Sequence, residues 1–164
     1  MGIILDIKKI TQNIPNYKII KTNLIVNPEG DNKIRKHLED FQNKWGIYIF
    51  SSKKHDTVYI GSAGSSNKFV GRISRQLNPG DSSSIIPNIA FYHSLCGEYQ
   101  HNKYIITDKK CAKKSIIKYA PILTLIDLSD FRDEKIIEIE QKLIFKHRPI
   151  YNWTLNINKK FQTS

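Results

Sequence analysis

Residues 46–61, Gly46-Ile47-Tyr48-Ile49-Phe50-Ser51-Ser52-Lys53-Lys54-His55-Asp56-Thr57-Val58-Tyr59-Ile60-Gly61, hold two short β-branched and aromatic runs separated by six polar residues. Neither run has helix-type spacing, and the polar interval has the length of a hairpin connection, so the stretch predicts two neighbouring antiparallel strands. Strand alternation puts Ile47 and Ile49 on one face and Tyr48 with Phe50 on the other; in the second strand Val58 and Ile60 share a face and Tyr59 takes the opposite one. If the aliphatic faces coincide, the two phenols also share a side. There they form either an ordinary cross-strand aromatic pair or a pair able to move a proton or grip a phosphate.

Working outward, the small-residue loop Ser62 to Asn67 precedes a stretch, Lys68 to Leu77, that predicts a short helix stopped by Asn78-Pro79-Gly80-Asp81. Residues 85–107 read equally as strand or buried helix. Beyond them, Ala112 to Tyr119 reads as helix and Pro121 to Leu128 as a buried strand. Ser129 or Asp130 is then placed to cap a helix that runs to about His147 and is ended by Pro149. Upstream, residues 1–45 read as an extension with a Pro15-Asn16 turn, an alternating stretch Tyr17 to Val26 and a polar helix from about Asn32 to Asn43. The expected organisation is this N-terminal extension, a candidate recognition or dimer element, followed by one mixed α/β (α+β) domain over 46–164.

With 164 residues, 40% of them hydrophobic and 25% charged, the chain has the size and composition of one globular domain with a conventional core. Its 26 Lys plus Arg against 15 Asp plus Glu give a net charge of +11, which points to a polyanionic partner or, more simply, to a solubilising surface. No apolar run has the length needed to span a bilayer, and the start Met1-Gly2-Ile3-Ile4-Leu5-Asp6 lacks a basic leader region, so no membrane partner and a cytoplasmic location are expected. On the same grounds Cys96 and Cys111 are expected to be reduced, with no disulfide. His93, Cys96, His101 and Cys111 match no paired-ligand zinc spacing. There is no glycine-rich phosphate or dinucleotide loop, hence no nucleotide cofactor, and no Gly-x-Ser-x-Gly elbow.

Three features stand out chemically. Helical spacing aligns Ile136, Glu140, Leu143, Ile144 and His147 on one face, so Glu140 interrupts an apolar stripe; a carboxylate there must reach water or find a cation, a metal or donors. Glu138 and Lys142 form an ordinary surface pair, and His147 reads as a packing or capping residue. Lys68, Arg72 and Arg75 lie on the first short helix, and Lys103, Lys109, Lys110, Lys113, Lys114 and Lys118 cluster further on, with Tyr104 and Tyr119 interleaved. Either group is a solvated basic face or a track for a nucleic-acid backbone.

These pieces together resemble the GIY-YIG nuclease family. Its naming motifs stand as Gly46-Ile47-Tyr48 and Tyr59-Ile60-Gly61, followed by Ser62-Ala63. The family's helix arginine corresponds to Arg72 in Phe69-Val70-Gly71-Arg72-Ile73-Ser74-Arg75-Gln76. Its later glutamate corresponds to Glu140, and its closing Tyr-Asn pair to Tyr151-Asn152. The block from Glu140 to Asn152 is similar to the bacterial excision-repair members, including His147 and Pro149. The resemblance covers roughly residues 46–152 and implies a small, mostly antiparallel sheet flanked by helices. Two departures are visible: the Tyr59 to Arg72 interval is longer than in compact members, and Gln76 stands where a His or Tyr is usual.

The resemblance implies a metal-dependent DNA endonuclease. Glu140 would hold one Mg2+ or Mn2+ ion, Arg72 would stabilise charge on the phosphoryl oxygens, and Tyr59, with Tyr48 as partner or relay, would act as general base. Asn152 would fix the architecture. A free phenol titrates at about 10, so positive charge from Lys68, Arg72, Arg75 or the metal must lower it. Lys68, Arg75, Gln76, Lys113, Lys114, Lys146 and Arg148 are the candidate nucleic-acid contacts, and a homodimer is compatible with the extension. Because glutamine hydrogen-bonds but cannot relay a proton as histidine does, the rival expectation is a catalytically impaired nucleic-acid-binding module on the same scaffold.

Overall fold

The computed structural model describes residues 2–154; the remainder of the 46–164 domain expected from sequence, residues 155–164, lies outside the described residues. In chain order the elements are α1 (Gly2–Thr11), β1 (Tyr17–Lys21), α2 (Thr22–Ile25), α3 (Ile34–His37), β2 (Gly46–Ser51), β3 (Thr57–Ser62), α4 (Phe69–Gln76), α5 (Ile85–His93), β4 (Gly97–Gln100), β5 (Lys103–Ile106), α6 (Lys109–Tyr119), β6 (Ile122–Asp127) and α7 (Asp133–His147). Among these residues no helix is long and apolar enough to cross a membrane.

The fold is α+β, as the resemblance implies. Four antiparallel strands form one sheet in the order β1-β6-β2-β3, and β4 and β5 form a separate hairpin. β2 and β6 are central, which is why Gly46–Ser51 is buried at every position and reads as a continuous apolar run. β3 and β1 are the edges. The segment before Trp45 is part of this architecture: β1 pairs with β6, and α1 lays Ile3 and Ile7 against Ile47, Ile126 and Leu143.

Each face of the sheet has its own core. Ile47, Ile49, Ile60 and Ile126 pack under α1 and α7, whereas Tyr48, Phe50, Leu123 and Leu125 pack under α4, α5 and α6. Tyr59 joins the second group. Val58 departs from the expected alternation. The register slips between Phe50 and Ser51, leaving Val58 as an extra residue opposite no partner, and this bulge turns it to the tyrosine face with Tyr59.

Both motif glycines have steric reasons. At Gly46, with φ +153°, a Cβ would lie 2.2 Å from the Ile126 carbonyl oxygen; at Gly61 it would lie 2.2 Å from Cζ of Tyr48, whose ring crosses the strand there.

Three expectations are corrected, and one ambiguous segment is resolved. The polar helix over residues 32–43 is only the single turn α3 followed by a 3-10 turn at Glu39–Phe41, because Leu38 and Phe41 fold inward. Residues 85–107, which suit either periodicity, hold both: the helix α5 and then the β4–β5 hairpin. Helix α7 starts at Asp133 with no side-chain cap from Arg132; Ser129 instead accepts the Trp45 N–H and bonds Asp127. Finally, Cys96 and Cys111 form a disulfide, with Cα atoms 5.4 Å apart. It ties the base of the hairpin to α6. Since the bridge spans 15 positions, the Cys96→Ser/Cys111→Ser variant should lose about 3 kcal/mol in denaturant unfolding. Thiol labelling of the denatured, non-reduced protein should find no free cysteine.

Candidate active site at the edge strand

The site is organised around β3. Because β3 is an edge, groups from both sheet faces can meet beside it without crossing the sheet. Tyr59 projects from the tyrosine face, while Ser62, three residues on, projects to the α7 face and donates its hydroxyl to Glu140 Oε2 at 2.7 Å. Arg72 arrives from α4 and interacts electrostatically with Tyr48, Tyr59 and Glu140. Tyr48, Tyr59, Arg72 and Glu140 thus lie near enough to influence one another's charge.

Glu140 sits at the margin of the α7 stripe, mostly buried. Burial raises its pKa, and this outweighs the opposing influence of the Ser62 hydrogen bond and the Arg72 charge. Its only side-chain hydrogen bond among the described residues is the one from Ser62. Arg72 Nε is also buried, with no hydrogen-bond partner. A carboxylate short of donors beside a guanidinium short of acceptors is costly inside a folded chain, and it suits a ligand that is both cationic and anionic in parts.

The two phenols stack at 6.4 Å between ring centres, with Tyr48 fully buried. Gln76, at the end of α4 and only 4% exposed, holds them. Its Nε2 donates to Tyr48 Oη at 2.7 Å and to Tyr59 Oη at 3.4 Å, while its Oε1 accepts the Ile85 N–H at 2.7 Å. The Ile85 amide, a donor only, fixes which end of the glutamine faces the phenols. Gln76 is therefore an internal strut, not the nucleic-acid contact expected from sequence. Gln76→Met should cost about 1–3 kcal/mol by stranding the buried Ile85 N–H, read out by chemical denaturation.

Burial raises the pKa of both Tyr48 and Tyr59; at Tyr59 the hydrogen bonds from Gln76 and Tyr48 and the charge of Arg72 act in the lowering direction but do not prevail. The lowering expected from a cluster of three cations comes from Arg72 alone. Lys68 lies over the Trp45 ring at 5.6 Å, and Arg75 pairs with Asp81 at 3.2 Å.

Asn152 reaches β3 from the turn beyond α7. Its Oδ1 accepts the Ile60 N–H and its Nδ2 donates to the Ile60 carbonyl, both at 2.8 Å, so one side-chain amide imitates a neighbouring strand and closes the exposed edge. Tyr151, the preceding residue, bonds His93 Nε2 at 2.8 Å and so anchors that turn to α5. Burial, with Tyr92 and Tyr119 nearby, pushes the Tyr151 phenol up to about 12.

The remaining basic candidates do not converge on this site. Lys113 Nζ donates to the Asn27 and Gly30 carbonyls, Lys146 pairs with Asp6 on α1, and Arg148 lies against the Phe145 and Trp153 rings. His147 also bonds Asp6, at 2.9 Å, clasping α1 to α7. Lys114 is exposed on α6. The residue missed from sequence is Ser62. Its position in the small-residue run after Gly61 was visible, but its pairing with a residue 78 positions away was not.

Among the described residues, no group of three or more His, Cys, Asp or Glu side chains is placed to hold a metal ion. The donor set at the site is one carboxylate with one hydroxyl. That fits a hard divalent cation that retains most of its waters, and does not fit zinc.

No protein-family model matches the chain, and no curated protein matches it. It is similar to solved structures of the GIY-YIG N-terminal endonuclease domain of UvrC from Thermotoga maritima, three point mutants each bound to its catalytic divalent cation. Identities are 19%, 20% and 18%, over 74% of this chain and 97% of that domain, with a TM-score of 0.36. At that TM-score the likeness carries no functional argument. A reading of function therefore rests on the residues themselves.

Proposed function

We propose that the chain is a metal-dependent DNA endonuclease of the GIY-YIG type. The observation that carries this reading is the convergence at β3 of an underpartnered Glu140, an Arg72 with an orphaned buried Nε, and two phenols on one hydrogen-bonded strut. Glu140, steadied by Ser62, is the group that would hold Mg2+ or Mn2+. When bound, the ion supplies positive charge that stabilises a phosphodiester and favours ionisation of nearby acids.

The chain's own residues supply the rest. Arg72 offers guanidinium donors to the phosphoryl oxygens, on which negative charge grows as water attacks and the bond to the leaving oxygen breaks. Tyr59 Oη, in its ionised form, would take the proton of the attacking water and so end the step as a neutral phenol. It is the more accessible of the two phenols, and the Gln76 donor and the Arg72 charge act toward its ionised form, against the larger effect of burial. Gly61 and Asn152 keep Tyr48 and β3 in place.

A second reading, a binding module without catalysis, is favoured by one observation: burial raises the Tyr59 pKa and so disfavours the phenolate that a general base requires. The two are separated by incubating the protein with plasmid, linear duplex, branched DNA and single-stranded RNA, in magnesium, manganese or chelator, and sequencing the product ends. The nuclease reading expects cleavage of DNA that the chelator stops. Salt-sensitive binding with no cleavage in either metal would establish the module instead.

A further inference from the structure

We propose that the β4–β5 hairpin is a reading head for duplex DNA, entering the major groove while the lysines of α6 grip the adjoining backbone. This rests on the nuclease reading and adds to it the part that selects the target. The hairpin is a two-stranded ribbon outside the main sheet, a shape the major groove accepts.

Its two faces differ in chemistry. Tyr99 and Tyr104, paired across the strands, pack on Phe91 at 5.9 and 5.5 Å between ring centres, and the Tyr104 hydroxyl donates to the Leu95 carbonyl at 2.7 Å. That face packs on α5 through Tyr104, with Tyr99 at its exposed margin. The opposite face and the tip present Glu98, Gln100, His101, Asn102, Lys103 and Ile105, all exposed, with Gln100 Nε2 donating to Glu98. A surface that only held phosphates would carry cations. This one mixes amides, a carboxylate, an imidazole, one lysine and one apolar side chain, the donor, acceptor and methyl-contacting types that distinguish base edges. His101 and Asn102 both have positive φ, 47° and 64°, the paired left-handed conformation of a tight hairpin turn.

The phosphate-binding part lies next to it and is held in register. The Cys96–Cys111 bridge joins the ribbon's base to the first turn of α6, and the Thr107 and Asp108 amides both donate to the Cys96 carbonyl. Along α6, Lys109, Lys110 and Lys114 are exposed, Lys110 pairing with Glu29 at 2.7 Å and Lys114 lying within its electrostatic reach, while Lys113 is held by the Asn27 and Gly30 carbonyls. The ribbon's distance from the chemistry is bounded too. Ile85, bonded to Gln76, begins α5, a helix of nine residues and so about 13 Å long. Four ribbon residues add about 13 Å. Even with the intervening turn, the tip stays within about 35 Å of Ile85, or about ten base pairs at 3.4 Å each.

The test uses the full chain and a pool of randomised duplexes. Bound molecules are sequenced after selection in chelator, and cut ends after incubation in magnesium. The wild type should enrich particular bases, by a factor of about five or more at a read position, within about ten base pairs of the cut. Gln100→Ala with Asn102→Gly should erase that enrichment. Lys109→Ala with Lys114→Ala should preserve it while reducing the slope of log affinity against log salt by about two. Enrichment that survives the tip variant, a wild type that binds duplex without base preference, or no duplex binding at all would each overturn the proposal. Enrichment in chelator without any cleavage in magnesium would leave the reading head standing and remove the nuclease reading.

Discussion

Replacing Glu140 with alanine is expected to reduce metal-dependent DNA cleavage by at least about a thousandfold, while leaving the protein as stable as the wild type or more so. Loss of activity follows because, among the described residues, Glu140 is the one carboxylate in the electrostatic surroundings of Tyr59 and Arg72. Gain of stability follows because, without an ion, Glu140 is a buried acid with one hydroxyl donor, whose burial raises its pKa. Removing such a group relieves a desolvation cost instead of breaking a stabilising pair. Glu140→Gln should behave alike in activity. Arg72→Ala should lose about a hundredfold to a thousandfold, the usual consequence of deleting one donor to a developing oxyanion. Rates measured in magnesium alongside thermal unfolding in chelator separate the two effects. Undiminished cleavage by Glu140→Ala would end the assignment of the ion to this residue.

The second large effect is steric. Gly61→Ala places a methyl carbon 2.2 Å from Cζ and 2.3 Å from Oη of Tyr48, a ring with no exposed surface and no room to withdraw. Overpacking of this kind costs about 3 kcal/mol, seen as a lower denaturation midpoint. It should also cost nearly all activity, since the displaced Tyr48 takes Gln76 and Tyr59 with it. Tyr48→Leu in the Gly61→Ala background should recover part of the stability and none of the activity. Equal stability of Gly61→Ala and wild type would mean that Tyr48 does not lie across the strand.

Residues 46–61 were legible because strand alternation is local. A run such as Gly46-Ile47-Tyr48-Ile49-Phe50 has no competing helical reading, and six polar residues leave a hairpin as the simplest connection. The helix carrying Glu140 was legible for the same reason, its apolar spacing being a property of the helix itself. Where local preference was weak, the reading stopped. Residues 85–107 carry scattered apolar groups that suit either periodicity, and α3 ended early because Leu38 and Phe41 were drawn into the core.

Sequence alone therefore determined the strand pair, the helix face of Glu140, the kinds of chemical group available and their order along the chain, since these depend on interactions over a few residues. Tertiary structure alone decided that β3 is an edge, that Ser62 meets Glu140 and that Gln76 is a strut whose far end is fixed by Ile85. It also decided that Asn152 seals the edge and that Cys96 reaches Cys111. Each is a meeting of groups well separated in sequence, set by how two sheet faces and their helices fill space, and no local pattern encodes that.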